Sequence, residues 1–233
     1  MTIQHQDQAI SAGIPPVPAP VAEQLAALSL RPGLPLVIAD ADEVLFYFMR
    51  GLERFLEGQG LYFDWQSYAL YGNIRRRDDD SPVAAEALHP LLQLFFAEAT
   101  ELLEPVEDAA ASLARLAERC QVVVLSNVPL PARAARERAL NRHGMAYPLI
   151  ANSGPKGPAV AALTAMTAGP AMFIDDIPHN HSSVAQMAPA VHRLHFIADR
   201  RLAALLGPAP DCHHRVESWP EIHDHIGDLL ERM

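Results

Sequence analysis

Cysteine is scarce in this chain: Cys120 and Cys212 are the two it carries in 233 residues. They offer neither a disulfide framework nor a metal-ligand spacing, so a reduced, cytoplasmic setting is expected. Basic residues are also few. Lys and Arg number 18 against 28 Asp and Glu, a formal net charge of −10. Binding a phosphate backbone needs a basic face, so nucleic acid is not expected as a partner. No apolar run approaches the roughly 20 residues that span a bilayer, and Met1 to Gln8 is polar, unlike a secretory leader. No membrane partner is expected either.

What the chain has is apolar mass. Half of its residues are hydrophobic and 20% are charged. That suits one α/β domain of ordinary size, or a core carrying a smaller insertion. Short apolar runs at Leu36–Ala39, Gln121–Leu125, Tyr147–Ala151, Ala171–Ile174 and Val191–Ile197 read as strands. In the last of these, His192, Arg193 and His195 fall among apolar residues, the pattern of a more exposed edge strand. Helical spacing over Val106–Arg119, Ala132–His143, Pro158–Thr167 and Ser182–Ala188 separates most of the runs. Such alternation implies right-handed βαβ crossovers. The expected fold is a doubly wound, three-layer, Rossmann-type α/β core around a five-stranded parallel sheet.

Two segments stand apart. Residues 1–33 read as a proline-rich arm ending in Ile14-Pro-Pro-Val-Pro-Ala-Pro20, followed by a short helix over Val21–Leu30 and a stop at Arg31-Pro32-Gly33. The apolar arm raises the expectation of a homodimer. Residues 46–105 are too many for one crossover and read as an inserted, mainly helical cap. Within it, Met49–Glu57 and Leu88–Leu103 have helical spacing, and Tyr62, Phe63, Trp65, Tyr68 and Tyr71 form an aromatic patch. Residues 34–45 and 106–233 then form the core.

The chemistry is concentrated where apolar runs end. Leu36-Val-Ile-Ala39 ends in Asp40-Ala-Asp42, and Met172-Phe-Ile174 ends in Asp175-Asp176. As buried parallel strands, both would deliver carboxylates to the carboxyl edge of one sheet, where open α/β folds bind ligands. Four converging acids repel unless a divalent cation neutralises them, and all-oxygen ligation suits Mg²⁺. Ser126 closes the second run. Lys156 follows the third, in the turn-rich Ser153-Gly-Pro-Lys-Gly-Pro158.

This order, Asp40-Ala-Asp42, then Ser126, then Lys156, then Asp175-Asp176, resembles the four motifs of the haloacid dehalogenase (HAD) superfamily over about residues 34–197. The resemblance implies Mg²⁺-dependent hydrolysis of a phosphate monoester on a small, soluble metabolite. It makes Asp40 the nucleophile and Asp42 the acid that protonates the leaving alcohol and then activates water. Ser126, with the adjacent Asn127, and Lys156 would hold the phosphoryl group. Asp40, the carbonyl of Asp42, and Asp175 or Asp176 would hold the metal. An Asp at position 42 looks like the phosphatase and phosphomutase branch, because the dehalogenase branch has no acid there. Transfer to another acceptor, and a non-catalytic binding or assembly role, are the alternatives.

Two departures accompany the resemblance. Position 43 is Glu where many relatives have Gly, and Asn180 stands where a carboxylate often supports the metal. Ser126 could equally cap the helix opening near Pro131. His179 and His181 are expected at the pocket rim or surface, and His213, His214, His223 and His225 in solvent. Arg75-Arg76-Arg77, next to Asp78-Asp79-Asp80, reads as a solvated loop. Most of the cap aromatics are expected in a core, with one or two facing the pocket.

Overall fold

The structure, a computed structural model, describes residues 17–232. Most of the proline-rich arm, and the dimer contact expected of it, lies outside the described residues. Six parallel strands make the main sheet: β1 (Leu36–Ala39), β4 (Gln121–Ser126), β5 (Leu149–Ala151), β6 (Ala171–Asp175), β7 (His192–His195) and β8 (His214–Arg215), in the order β5-β4-β1-β6-β7-β8. A separate antiparallel hairpin pairs β2 (Leu61–Phe63) with β3 (Ile74–Arg76). The helices are α1 (Ala19–Ala26), α2 (Phe48–Gly58), α3 (Ala85–Ala99), α4 (Ala109–Leu116), α5 (Arg133–Arg142), α6 (Gly157–Thr167), α7 (Pro178–Met187), α8 (Arg200–Leu205) and α9 (Trp219–Arg232).

Strand side chains alternate between two cores, as a doubly wound sheet requires. Leu36, Ile38, Val123, Leu125 and Phe173 pack with Val21 of α1, Val160 of α6 and Val184 of α7. Val37, Ala39, Val122, Val124 and Ile174 face the other way, onto a cluster that includes Leu113 of α4 and Ile222 of α9. All of these residues are buried. The three layers expected from the sequence are therefore present. Helix α1 belongs to this packing: its Val21 and Leu25 enter the core, and Gln24 hydrogen-bonds to both backbone groups of Ala151 on β5.

The sheet departs from expectation at one side. β8 adds a sixth strand outside β7, so β7 is not an edge. A two-residue strand has no periodicity to read. The polar residues of β7 are satisfied internally rather than by solvent. Arg193 donates to the carbonyls of Val191 and Asp211, both at 2.7 Å. His195 accepts from the Ala209 amide at 3.0 Å and donates to the Asp176 carbonyl at 2.8 Å.

Between β1 and α4 the chain forms α2, the β2–β3 hairpin and α3. The hairpin accounts for the aromatic patch: Phe63 is buried edge-on to Trp65, whereas Tyr71 is exposed. Phe95 on α3 meets Phe48 and Phe55 on α2 in edge-to-face pairs at 5.1 and 5.5 Å, the geometry aromatic rings prefer. The arginines of residues 75–77 lie on and beside β3. Arg75 approaches Asp64 and Asp80, and Arg77 approaches Glu57.

Candidate active site

Register brings the acids together. Ala39 pairs with Ile174, and the Asp40 amide donates to the Ile174 carbonyl at 2.9 Å, so both strands release their carboxylates at one level. The chain then turns sharply. Leu45 and Phe46 both donate to the Ala41 carbonyl, and Glu43 sits at φ +56°, in the left-handed region that favours glycine. What holds a glutamate there is its buried carboxylate. It accepts from the amides of Met49, at the start of α2, and of Asp199, after β7, both at 2.7 Å. The indole of Trp219 secures the same turn by donating to the Val44 carbonyl at 2.8 Å. The departure at position 43 is thus a structural tie.

Lys156 is delivered from the opposite side, at the start of α6. That helix packs closely on α7: a Cβ at Gly157 would collide with the Ser183 backbone, and the Gly157 amide donates to Ser183 Oγ at 3.0 Å. The ammonium is almost wholly buried and lies 2.7 Å from both Asp40 and Asp175. Its pKa is raised: burial alone would lower it, but the two carboxylates outweigh burial.

The adjacent acids of the fourth motif have different roles. Asp175 shares the sheet face of Phe173, beneath α6 and α7. One of its oxygens meets Lys156, and the other accepts from the Ile177 amide and the Asn180 side chain, both at 2.9 Å. Asp176 instead lines the cavity beside Asp40 and Asn180. Its pKa is well above the usual carboxylate range, chiefly through burial and then through Asp175 and Asp40. Asp40 is pushed up to about 7, mainly by burial, with Lys156 opposing the rise.

A metal fits this donor set. Asp40, Asp175 and Asp176 offer carboxylate oxygens within 4.8 Å of one another. Three carboxylates against one ammonium leave two negative charges in a buried space, the amount a divalent cation cancels. Asn180 Oδ1 is buried with no hydrogen-bond partner, so one further neutral oxygen is free. An all-oxygen set of this kind suits a hard cation. Asp40, Asp175 and Asp176 form the candidate group, with Asn180 beside it; Asp175 also holds Lys156 and Asn180.

Asp42 also lines the cavity, and its carboxylate meets Arg136 from α5. Arg136 is fully buried, with its guanidinium 5.0 Å from the centre of the Phe46 ring. It was not among the sequence candidates. The signal was present: Arg136, Ala139 and Leu140 are the buried residues of α5, at spacings of three and four. An arginine on the apolar stripe of a helix needs a buried partner. Ser126 is buried, and its Oγ accepts from the Val128 amide at 3.2 Å. Asn127, not Ser126, reaches the cavity wall, braced by hydrogen bonds with Asn152 and Gly154. His181 departs from expectation. It is buried under Phe173 and His195 and donates to the Asp175 carbonyl at 3.0 Å, whereas His179 is exposed.

These shifts fix a pH dependence. Burial raises Asp40 and Glu43 to about 7. A raised carboxyl stabilises the fold at pH values below its unfolded pKa, and that contribution is lost as pH rises through about 7. His192 and His195 are depressed to about 4, mainly by burial, so they act in the opposite sense, but only up to their ordinary pKa of about 6.5. Above pH 6.5 the carboxyls govern. In EDTA the melting temperature is expected to fall between pH 6.5 and 8, and saturating Mg²⁺ should remove the share of that fall that Asp40 carries. A flat EDTA profile would contradict the site described.

Solved structures share this architecture. A HAD-family hydrolase from Deinococcus radiodurans R1, crystallised with bound phosphate and sodium, matches at TM-score 0.53 and 17% identity, covering 83% of this chain and 95% of that one. A haloacid dehalogenase-like protein from Agrobacterium tumefaciens matches at TM-score 0.57 and 13% identity, covering 85% and 100%. An L-2-haloacid dehalogenase matches at TM-score 0.56 and 13% identity, covering 84% and 100%. No protein-family model and no curated protein sequence matches the chain. The chain has a HAD-like α/β fold. Among the described residues, no helix is long and apolar enough to cross a membrane.

Proposed function

We propose that this chain is a phosphohydrolase of the HAD superfamily, acting on a phosphate monoester of a small metabolite with Mg²⁺ as cofactor. The observation that carries the reading is the buried group of Asp40, Asp175, Asp176 and Lys156, two negative charges in excess, opening onto one cavity with Asp42. A phosphorylated substrate is itself anionic and would be repelled by bare carboxylates. The bound cation would supply charge neutralisation for the nucleophile and the phosphoryl oxygens.

The remaining steps belong to the protein's own groups. Asp40 attacks phosphorus in line, the bond from phosphorus to the leaving oxygen breaks, and Asp42 gives that oxygen its proton. The aspartyl-phosphate is then attacked by water, which passes a proton back to Asp42 and frees Asp40 and inorganic phosphate. Lys156 offsets charge on Asp40 and the transferring group, and Asn127 can donate to a phosphoryl oxygen. Arg136 orients Asp42, and Asp175 positions Lys156. Neither needs to touch substrate.

Release of phosphate from p-nitrophenyl phosphate, with and without Mg²⁺, tests the reading. Asp42→Asn is expected to slow turnover by about 10²-fold or more, the usual scale of positioned acid–base catalysis. A rate within about twofold of wild type would remove proton transfer from Asp42. A stable phospho-enzyme with little release would favour transfer to another acceptor.

A further inference from the structure

The cavity has a volume of about 230 Å³, and Asp40, Asp42, Glu43, Asp176 and Lys156 supply its charged lining. Its other walls are of a different kind. Phe48 and Met49 come from α2, Phe96 from α3, Tyr68 and Leu70 from the segment after the hairpin's first strand, and Leu206 from the end of α8. Among the described residues lining it, Lys156 is the sole cation, and Lys156 is committed to Asp40 and Asp175.

Arg136 is buried behind Asp42 and Arg76 is exposed on β3, and neither lines the cavity; the other arginines around the inserted unit are engaged elsewhere. Arg50 stacks over Tyr47, 3.5 Å from the ring centre, and approaches Glu104, which also pairs with Arg54. Arg75 and Arg77 face the acids of the hairpin and α2. Arg201 is held by Glu53 and Asp199 and lies over the ring of Trp65. None of these arginines lines the cavity.

Anionic substituents are normally held by guanidinium groups, and an unpaired charge in an apolar pocket carries a large desolvation penalty. A second phosphate or a carboxylate on the leaving group would have no partner here. A volume of this size leaves room beyond the phosphate for one ring; an apolar cavity of about 150 Å³ holds benzene. We infer that the leaving group is an uncharged, apolar alcohol or phenol, about one ring in size, seated between α2, α3 and Leu206. This rests on the phosphohydrolase reading and adds the substrate class.

The test compares benzyl, ethyl and 4-carboxybenzyl phosphate, whose leaving oxygens are all simple primary alkoxides, at saturating Mg²⁺. Benzyl phosphate is expected to exceed each of the others by about 100-fold in kcat/KM: apolar pockets discriminate by about 10- to 200-fold per missing methylene against the ethyl ester, and the 4-carboxylate would be desolvated without a partner. Rates within about fivefold across the three would overturn the substrate class while leaving the hydrolase standing.

Binding supplies a readout free of turnover. Benzylphosphonate should raise the melting temperature more than ethylphosphonate, and equal shifts would overturn the inference. Selective binding of benzylphosphonate without hydrolysis of any ester would retain the apolar subsite and remove the hydrolase. Tyr68, 48% exposed at the cavity, allows a gain-of-function check that leaves the core intact. Tyr68→Arg is expected to raise the ratio of kcat/KM for 4-carboxybenzyl over benzyl phosphate by about tenfold. An unchanged ratio would place the leaving group elsewhere.

Discussion

Asp40→Asn is expected to lower Mg²⁺-dependent phosphate release by about 10⁴-fold or more, the scale on which loss of a covalent nucleophile acts. The substitution removes one of the two carboxylates beside Lys156 and leaves the other, Asp175, in place. An amide occupies the same volume, and the backbone of residue 40 stays tied to Ile174. It removes one of the three clustered negative charges, so folding stability should hold or rise. Loss of turnover with an unchanged or higher melting temperature separates a chemical role from a structural one. A variant that kept more than about a tenth of the wild-type rate would show that Asp40 does not form the covalent intermediate.

Lys156→Met should change both stability and its dependence on Mg²⁺. The ammonium is the buried counter-charge of Asp40 and Asp175, 2.7 Å from each. Removing one partner of a buried ion pair costs about 3–5 kcal/mol, because the charges left behind are uncompensated. For a chain of this size that corresponds to a fall of about 10 °C in melting temperature. The cluster's excess negative charge rises from two to three, so the difference in melting temperature between Mg²⁺ and EDTA should widen relative to wild type. Thermal unfolding in the two media measures both effects. A melting temperature within about 2 °C of wild type would mean the ion pair contributes little.

The residues of these two predictions were legible without coordinates because charge at the end of a short apolar run is conspicuous. Asp40, Lys156 and the Asp175-Asp176 pair each follow such a run, and parallel pairing brings such ends to one edge. The division of work between Asp175 and Asp176 was not legible. It depends on which sheet face each residue shares and on what α6 and α7 place there. Arg136 could have been found from the stripe it shares with Ala139 and Leu140. The hairpin and β8 could not: β3 is Ile74-Arg-Arg76 and β8 is His214-Arg215, so neither presents an apolar run to read. Glu43 shows how local preference is overridden. Glycine suits its backbone angle, but two amides from distant segments fix the glutamate's carboxylate instead.

The interaction between Gln24 and Ala151 bears on how the molecule behaves among its own copies. An outermost strand presents unpaired amides and carbonyls that can recruit another chain. β5 is outermost at one side, and the Gln24 amide occupies both backbone groups of Ala151 as a neighbouring strand would. At the far side the terminal strand is only two residues long. Each border of the sheet is blunted, one by a borrowed side chain and the other by brevity, which leaves little template for self-propagating aggregation.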